Sequence, residues 1–418
     1  MVQLKDDCFA ASDELTPLGT ALGELAARLS AVAGIERIAL ADAVSRFLAE
    51  DILAARNVPP HDNSAVDGYA VYFDDLAEDG DTRLAIGGRI AAGHPLQGAA
   101  ERGQAYRIFT GAPLPSGPDT VFMQEDVHLD GDHVILPTGL KRGANCRYAG
   151  EDIETGSVVV AKGRRLRPQD LGVIASVGID RVAVYKPLRA AVFSTGDEIR
   201  DPSGDAPQGC VFDANRFTVM GMLQSLGCTV DDLGILPDDE PVISAALATA
   251  AASHDLIFTS GGVSVGDEDH VRTAVETLGY LHFWRLAIKP GRPVALGQIG
   301  DAVFVGLPGN PVATMVTFMR VARPVVLLLS GGTDITPAFY RVAAAFSFSK
   351  KSGRREWVRC RLVQGDDGVF RAENYSSGGA GVLASMVWAD GLVELDEDRT
   401  QINQGGMVDF LPFSEVTL

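Results

Sequence analysis

Three glycine-rich stretches carry the residues best suited to chemistry. TSGGVSVGDEDHV (259–271) follows the apolar run DLIF and ends in Asp267, Glu268 and Asp269. STGDE (194–198) supplies Asp197 and Glu198, and GLPGNP (306–311) supplies Pro308, Gly309 and Asn310. Glycine lets a backbone approach a ligand closely, and amides freed at such turns attract anions. The carboxylates beside them would repel an anion unless a cation came between. FWRLAIKPGRP (283–293) adds Arg285, Lys289 and Arg292, a focused basic group in a chain whose formal charge is -19. Together these point to a phosphate or oxyanion site in a crevice lined with the loops' backbone amides. A hard divalent cation with oxygen ligands, Mg²⁺, would bridge the anion to the acids. Taken alone, one glycine turn merely joins a strand to a helix, and three nearby basic residues are usually a solvated set of charges.

A second group lies earlier. PPHDNSAVDGYAV (59–71) contains Asp62 and Asp67, RIFTGAPLPSG (107–117) contains Thr110, and ANCRYAGEDI (144–153) contains Arg147, Glu151 and Asp152. The plain reading is turn capping by Asp62 and an internal ion pair around Arg147; spacing does not decide between that and a functional role. The seven histidines form no HxH or HExxH pattern, which sets aside a His-ligated transition metal; Ser264 stands in GVSVG (262–266), a GxSxG spacing, but no Ser-His-Asp order can be defended from the sequence, which sets aside a hydrolase triad. No GxGxxG or GxxxxGK[ST] appears in the loops, which disfavours a dinucleotide fold or a P-loop.

Such residues need elements to hold them. At 418 residues, 46% hydrophobic and 22% charged, the chain is long enough for several cores and too apolar for disorder. Its mean hydropathy is +0.11 and its pI about 4.7, without long Lys/Arg runs, so no nucleic-acid partner is expected. Cys8, Cys146, Cys210, Cys228 and Cys360 are scattered and never form CxxC, which suits a reducing compartment and a cytoplasmic location. No membrane partner is expected: no signal peptide opens the sequence, and the apolar stretch VARPVVLLLSGG is interrupted by Arg323 and Pro324.

Leu18, Leu22, Leu25 and Leu29 recur at helical spacing, and ADAVSRFLAEDI (41–52) reads as a second helix. From 58 to 144 short apolar runs broken by Gly, Pro and Asp read as a β-rich module. RPQDLGVIASVGI returns to helix. From 187 to 332 short β-branched runs alternate with amphipathic helices, the signature of a parallel sheet whose loops gather at the strands' carboxyl ends. Residues 333–418 return to strands. The expected fold is therefore multidomain α/β and β, with a helical linking region discontinuous over 1–57 and 145–186, an inserted module at 58–144, a central α/β domain at 187–332 and a C-terminal β domain at 333–418.

In combination, PPHDNSAVDGYAV, RIFTGAPLPSG, GEDI, STGDEI, DLIFTSGGVSVGDEDHV, FWRLAIKPGRP and GLPGNPVA resemble the molybdopterin molybdotransferase family, which includes the C-terminal part of gephyrin. The motifs run in order over almost the whole chain. The resemblance implies an enzyme that inserts molybdenum from molybdate into adenylylated molybdopterin with Mg²⁺-dependent release of AMP. It also implies a homodimer whose cleft lies between the α/β domain of one subunit and the β-rich module of the other. By motif position Asp67, Thr110, Glu198, Asp269 and Lys289 would be catalytic, and Asp67, Glu198 and Asp269 would hold the metal. Arg147, Asp152, Asp238 of LPDDEP, Gly261, Gly262, Ser264, Arg285, Arg292, Pro308, Gly309 and Asn310 would bind substrate. Transient contacts with the adenylylating enzyme before it and cofactor-handling enzymes after it would follow. The sequence departs from the family pattern at Val66, Arg285, Arg292 and Ala380, where Met, Lys, Lys and Ser are commoner. A tungsten-inserting paralogue and a non-catalytic molybdopterin-binding scaffold are the alternatives.

Overall fold

A computed structural model describes residues 3–4, 15–261, 270–291, 293–376 and 378–417. The six-stranded sheet of the α/β domain has the order Thr229–Leu236, Arg189–Thr195, Leu256–Ser260, Ala302–Leu307, Pro293–Ile299, Gly279–Arg285. The first four strands are mutually parallel, and the last two run antiparallel to their neighbours. This mixed edge corrects the expectation that FWRLAI continues the parallel pattern: hairpins join Gly279–Arg285, Pro293–Ile299 and Ala302–Leu307, leaving no crossover helix between them.

Successive residues of the central strands point to opposite faces, so a fully apolar strand feeds two cores. Val192, Phe258 and Val305 pack on one face with the helix of 311–329, whereas Phe193, Ile257 and Phe304 pack on the other with Ile243, Leu247 and Val271. The helical run Pro311–Leu329 is long and apolar enough to cross a membrane by length and composition, but 83% of it is buried inside the protein. Arg323 and Pro324 do not end it, contrary to the sequence expectation. A five-residue π turn at Phe318–Ala322 precedes Pro324 and absorbs the break in the hydrogen-bond ladder that proline imposes.

Leu18–Arg28 is the expected amphipathic helix, with Leu18 and Leu25 buried, and Pro168–Ser176 is the helix expected of RPQDLGVIASVGI. ADAVSRFLAEDI is not helical. Beyond a single 3-10 turn at Leu40–Asp42, Ser45 takes a positive φ of 65° and Phe47 and Leu48 bridge Arg165 and Val184. Pairing with distant strands overrides local propensity there. The linking region otherwise consists of the antiparallel pairs Ile35–Ala39 with Arg181–Tyr185 and Ile52–Leu53 with Val158–Val160.

The β-rich module is one sheet ordered Thr120–Met123, Gly68–Val71, Gln104–Ile108, Thr82–Ile90, His133–Leu136, His128–Asp130. Near the chain's end, Arg355–Gln364 pairs with Phe370–Asn374 and Gly391–Leu395 in a further six-stranded sheet. A buried charge network fastens this sheet to the long helix. Arg320 approaches Glu394 at 3.0 Å, Arg355 bonds Glu394 at 2.8 Å and Glu397 at 3.0 Å, and the Trp357 indole N–H donates to Glu394 at 2.7 Å.

Candidate functional site

Parallel pairing brings the ends of Arg189–Thr195, Leu256–Ser260 and Ala302–Leu307 to one edge of the sheet. Gly261 donates its N–H to Leu307 O at 3.0 Å and holds a φ of 83°, a conformation that favours glycine. Gly309 lies against it: a Cβ built on Gly309 would stand 3.7 Å from the Gly261 Cα. The Asn215 side-chain amide donates to Gly309 O at 2.7 Å, and the Thr314 hydroxyl donates to Pro308 O at 2.6 Å, fixing the GLPGN loop as it enters the helix at Pro311. Beneath this edge Ser194, Thr195 and Thr259 are buried and their hydroxyl oxygens lack a hydrogen-bond partner among the described residues. Buried hydroxyls without partners mark a place where a ligand or water completes the network.

Glu198 and Asp197 are exposed at the same edge, and Asp238 is exposed after the neighbouring strand Thr229–Leu236. The helix cap after that strand is Asp239, which accepts from Val242 N at 3.1 Å and leaves Asp238 outside the helix. STGDE does not lead directly into a helix as expected. Between it and the helix Asn215–Ser225 the chain forms the two-stranded pairing Ile199–Arg200 with Val211–Phe212. That excursion is anchored by a residue the sequence reading missed, Arg216. Its guanidinium bonds Asp213 at 3.0 Å, Asp232 at 2.6 and 2.5 Å, and Asp201 at 2.6 Å. Burial opposes the Arg216 charge, but the bonds from Asp232, Asp213 and Asp201 outweigh it and hold the group above its ordinary value. The only sequence signal was Asp213 three residues before Arg216 at a helix start.

Lys289 and Arg285 part company. Arg285 is exposed at the end of the antiparallel strand Gly279–Arg285, whereas Ile288–Lys289 leaves that sheet and pairs with Arg355–Gln364 of the C-terminal one. The Lys289 ammonium bonds the Glu356 carboxylate at 2.7 Å; no local pattern of residues points to Glu356, 67 positions away. Gly291 follows with a φ of 92°, and a Cβ there would meet Thr317 Oγ1 at 2.1 Å and Ala313 O at 3.5 Å. The turn after Lys289 is therefore seated on the helix Pro311–Thr317, which begins at the GLPGN loop. At that helix's start Val312 N donates to Ala380 O at 3.0 Å. The contact is made by backbone, so alanine at this position keeps it.

In the β-rich module Thr110 donates to the Asp67 carboxylate oxygen Oδ1 through its N–H and its hydroxyl, both at 2.8 Å. The N–H bond first, then the hydroxyl bond, hold the Asp67 carboxyl below its ordinary range. Asp62 accepts from Ala149 N at 2.8 Å, a tie to the GEDI segment 87 positions away rather than the local turn cap expected of it. Arg147 bonds Glu151 at 2.5 Å, the plain ion-pair reading, and Asp152 is exposed beside them. Arg147 pairs with Asn63 across strands, which places GEDI next to the Asp62–Asp67 turn.

Among the described residues no hydrogen bond or ion pair joins residues 58–153 to the α/β domain, so one chain displays two half-sites. Asp67, Thr110, Arg147 and Asp152 form one, and Glu198, Asp238, Gly261, Pro308, Gly309 and Asn310 form the other, with Lys289 beside the latter. Asp269, Gly262, Ser264 and Arg292 lie outside the described residues. No cluster of three or more His, Cys, Asp or Glu suited to a metal occurs among the described residues.

Comparison with known proteins places this arrangement. Residues 16–178 match the MoeA N-terminal region (domain I and II), 191–328 a probable molybdopterin binding domain, and 341–413 the MoeA C-terminal region (domain IV). The molybdopterin molybdenumtransferase of Haemophilus influenzae is 38% identical over 91% of this chain and 94% of its own. The chain belongs to the molybdopterin molybdotransferase family, and it is an enzyme of the transferase class. The molybdopterin molybdenumtransferase of Nostoc sp. is 31% identical over 91% of this chain and 89% of its own. The crystal structure of the molybdopterin biosynthesis MoeA protein of Pyrococcus horikoshii superposes with a TM-score of 0.81 at 27% identity, over 96% of this chain and all of that one.

Proposed function

We propose that the enzyme inserts molybdenum from molybdate into adenylylated molybdopterin, releasing AMP in a Mg²⁺-dependent step. The observation that carries this reading is the edge at Gly261 and Gly309, where glycine backbone lies at the strand ends that carry Ser194, Thr195 and Thr259, whose buried hydroxyls have no partner among the described residues. That surface suits a ligand rich in phosphate oxygens and ring heteroatoms. Insertion balances simply: two thiol protons leave with one molybdate oxygen as water while two Mo–S bonds form. A second water then splits the pyrophosphate, leaving one phosphate on the pterin side chain and the other in AMP.

In this reading Lys289 and Arg285 hold molybdate or phosphate oxygens, and the amides of Gly261 and Gly309 position the pterin. Asp67, kept ionised by Thr110, orients the attacking water. No hydrogen bond or ion pair among the described residues links the two half-sites within one chain, so in this reading Asp67 and Glu198 come to one metal where two chains meet. We accordingly assign the working form as a homodimer in which the module half-site of one subunit faces the α/β half-site of the other. Mg²⁺, when bound there, neutralises pyrophosphate charge. A cytoplasmic location and brief contacts with the adenylylating enzyme and with enzymes that receive the product complete the proposal. Purified protein incubated with adenylylated molybdopterin, molybdate and Mg²⁺ should release AMP, measured by chromatography. Absence of AMP with intact dimer would refute turnover and leave a pterin-binding scaffold, whereas preference for tungstate in a competition assay would assign the tungsten reaction.

A further inference from the structure

A cavity of about 860 Å³ lies away from both half-sites, between the linking region, the long helix and the chain's end. Its wall draws on residues 159–168, Arg323 and Leu327 of the helix, Thr333 and Asp334, and Ser414 and Glu415. In a protein of formal charge -19 it gathers Lys162, Arg164, Arg165, Arg167 and Arg323 against Asp170, Asp334 and Glu415. Arg164 and Arg167 are both engaged by Asp170, at 3.5 and 3.0 Å. Arg165 donates to the carbonyls of Ser45 and Ser225, at 3.3 and 2.9 Å, and Arg323 to that of Ile335 at 3.2 Å. Among the described residues the buried Arg323 Nε has no hydrogen-bond partner, and Lys162 is exposed on the rim, its ammonium meeting no acid.

We propose that this cavity binds a phosphate dianion, free or as the phosphate group of a nucleoside monophosphate, between Lys162, Arg165 and Arg323. Guanidinium forks match tetrahedral oxyanions, and the Arg323 guanidinium, which bonds only the Ile335 carbonyl among the described residues, retains donors for one. The local field agrees: burial pushes Arg323 down to about 10, and repulsion from Arg320 and Arg165 adds to it, while Asp334 and Glu415 offset only part. A bound dianion would reverse that imbalance. The volume lies within the range of small-molecule sites and accommodates either form. Because the wall joins the linking strands to the helix that starts at the GLPGN loop, occupancy would clamp the linking region to the α/β domain.

The test is isothermal titration of the full-length protein with inorganic phosphate and, separately, with AMP at fixed ionic strength. The proteins are wild type, Lys162→Ala, Arg323→Lys and Lys289→Ala. The proposal expects saturable binding that weakens about tenfold or more in Lys162→Ala and in Arg323→Lys, and that persists in Lys289→Ala. Lys162 is a rim residue, so its variant keeps the test decisive should Arg323→Lys fold poorly. Tighter binding of AMP than of phosphate identifies a nucleotide site, and equal affinity identifies a phosphate site. No saturable binding of either, or binding lost in Lys289→Ala and kept in Lys162→Ala, overturns the proposal.

Discussion

Replacing Arg216 by methionine tests whether the loop bearing Glu198 is held by a single buried charge. Arg216 and Asp213 side chains are each 3% exposed and 3.0 Å apart, whereas Asp232 and Asp201 are 38% and 47% exposed. Methionine fills much of the space but leaves Asp213 buried without its counter-charge, a loss of about 3–5 kcal/mol. The exposed partners, which water can solvate, add about 1 kcal/mol or less each. In urea unfolding followed by far-UV circular dichroism this moves the midpoint down by roughly 1 M or more. The double variant Arg216→Met/Asp213→Asn should regain more than half of the loss, since the orphaned charge is gone. Arg216→Met/Asp232→Asn should regain little. Equal rescue by the two second substitutions, or a loss below about 1 kcal/mol for Arg216→Met alone, would refute the reasoning.

Asp67→Asn and Lys289→Ala should each reduce AMP release by roughly ten- to a thousandfold with unchanged circular dichroism, since both groups lie at the surface of their half-sites; full activity in both would dismiss the assignment. Gly291→Ala meets Thr317 Oγ1 and forces a residue with a Cβ into positive φ, so it should destabilise by about 1–3 kcal/mol, seen as a lowered melting temperature. The depressed Asp67 value gives stability that is complete above the ordinary carboxyl value near 3.9 and is lost as pH falls through the folded one; hydrogen exchange at the Thr110 amide should stay slow at pH 5 and accelerate only in stronger acid. Burial raises the Cys228 and Cys360 thiols to about 12, so alkylation at pH 8 should proceed only as fast as the protein opens. The unfolded chain ionises these thiols first, above about pH 8.5, and their stabilising contribution declines from there as pH rises.

Much of this molecule was legible in its residue order. Alternating β-branched runs and amphipathic helices announced the α/β domain because burial on both faces of a parallel sheet demands them. Glycines after those runs marked the loops, because the chain must turn tightly where strands end. Short-range rules also read Leu18–Arg28 correctly. They failed at ADAVSRFLAEDI, where bridges to Arg165 and Val184 decide the backbone, and at Pro324, where a preceding π turn lets the helix continue. Only the tertiary structure decided the rest. It set Glu356 against Lys289 across 67 positions, gathered Asp201, Asp213 and Asp232 around Arg216, and brought Ala380 to the start of the helix at Pro311. Charge pairing and backbone contact at such distances depend on how sheets pack, and no local pattern of residue types encodes which distant partner will arrive.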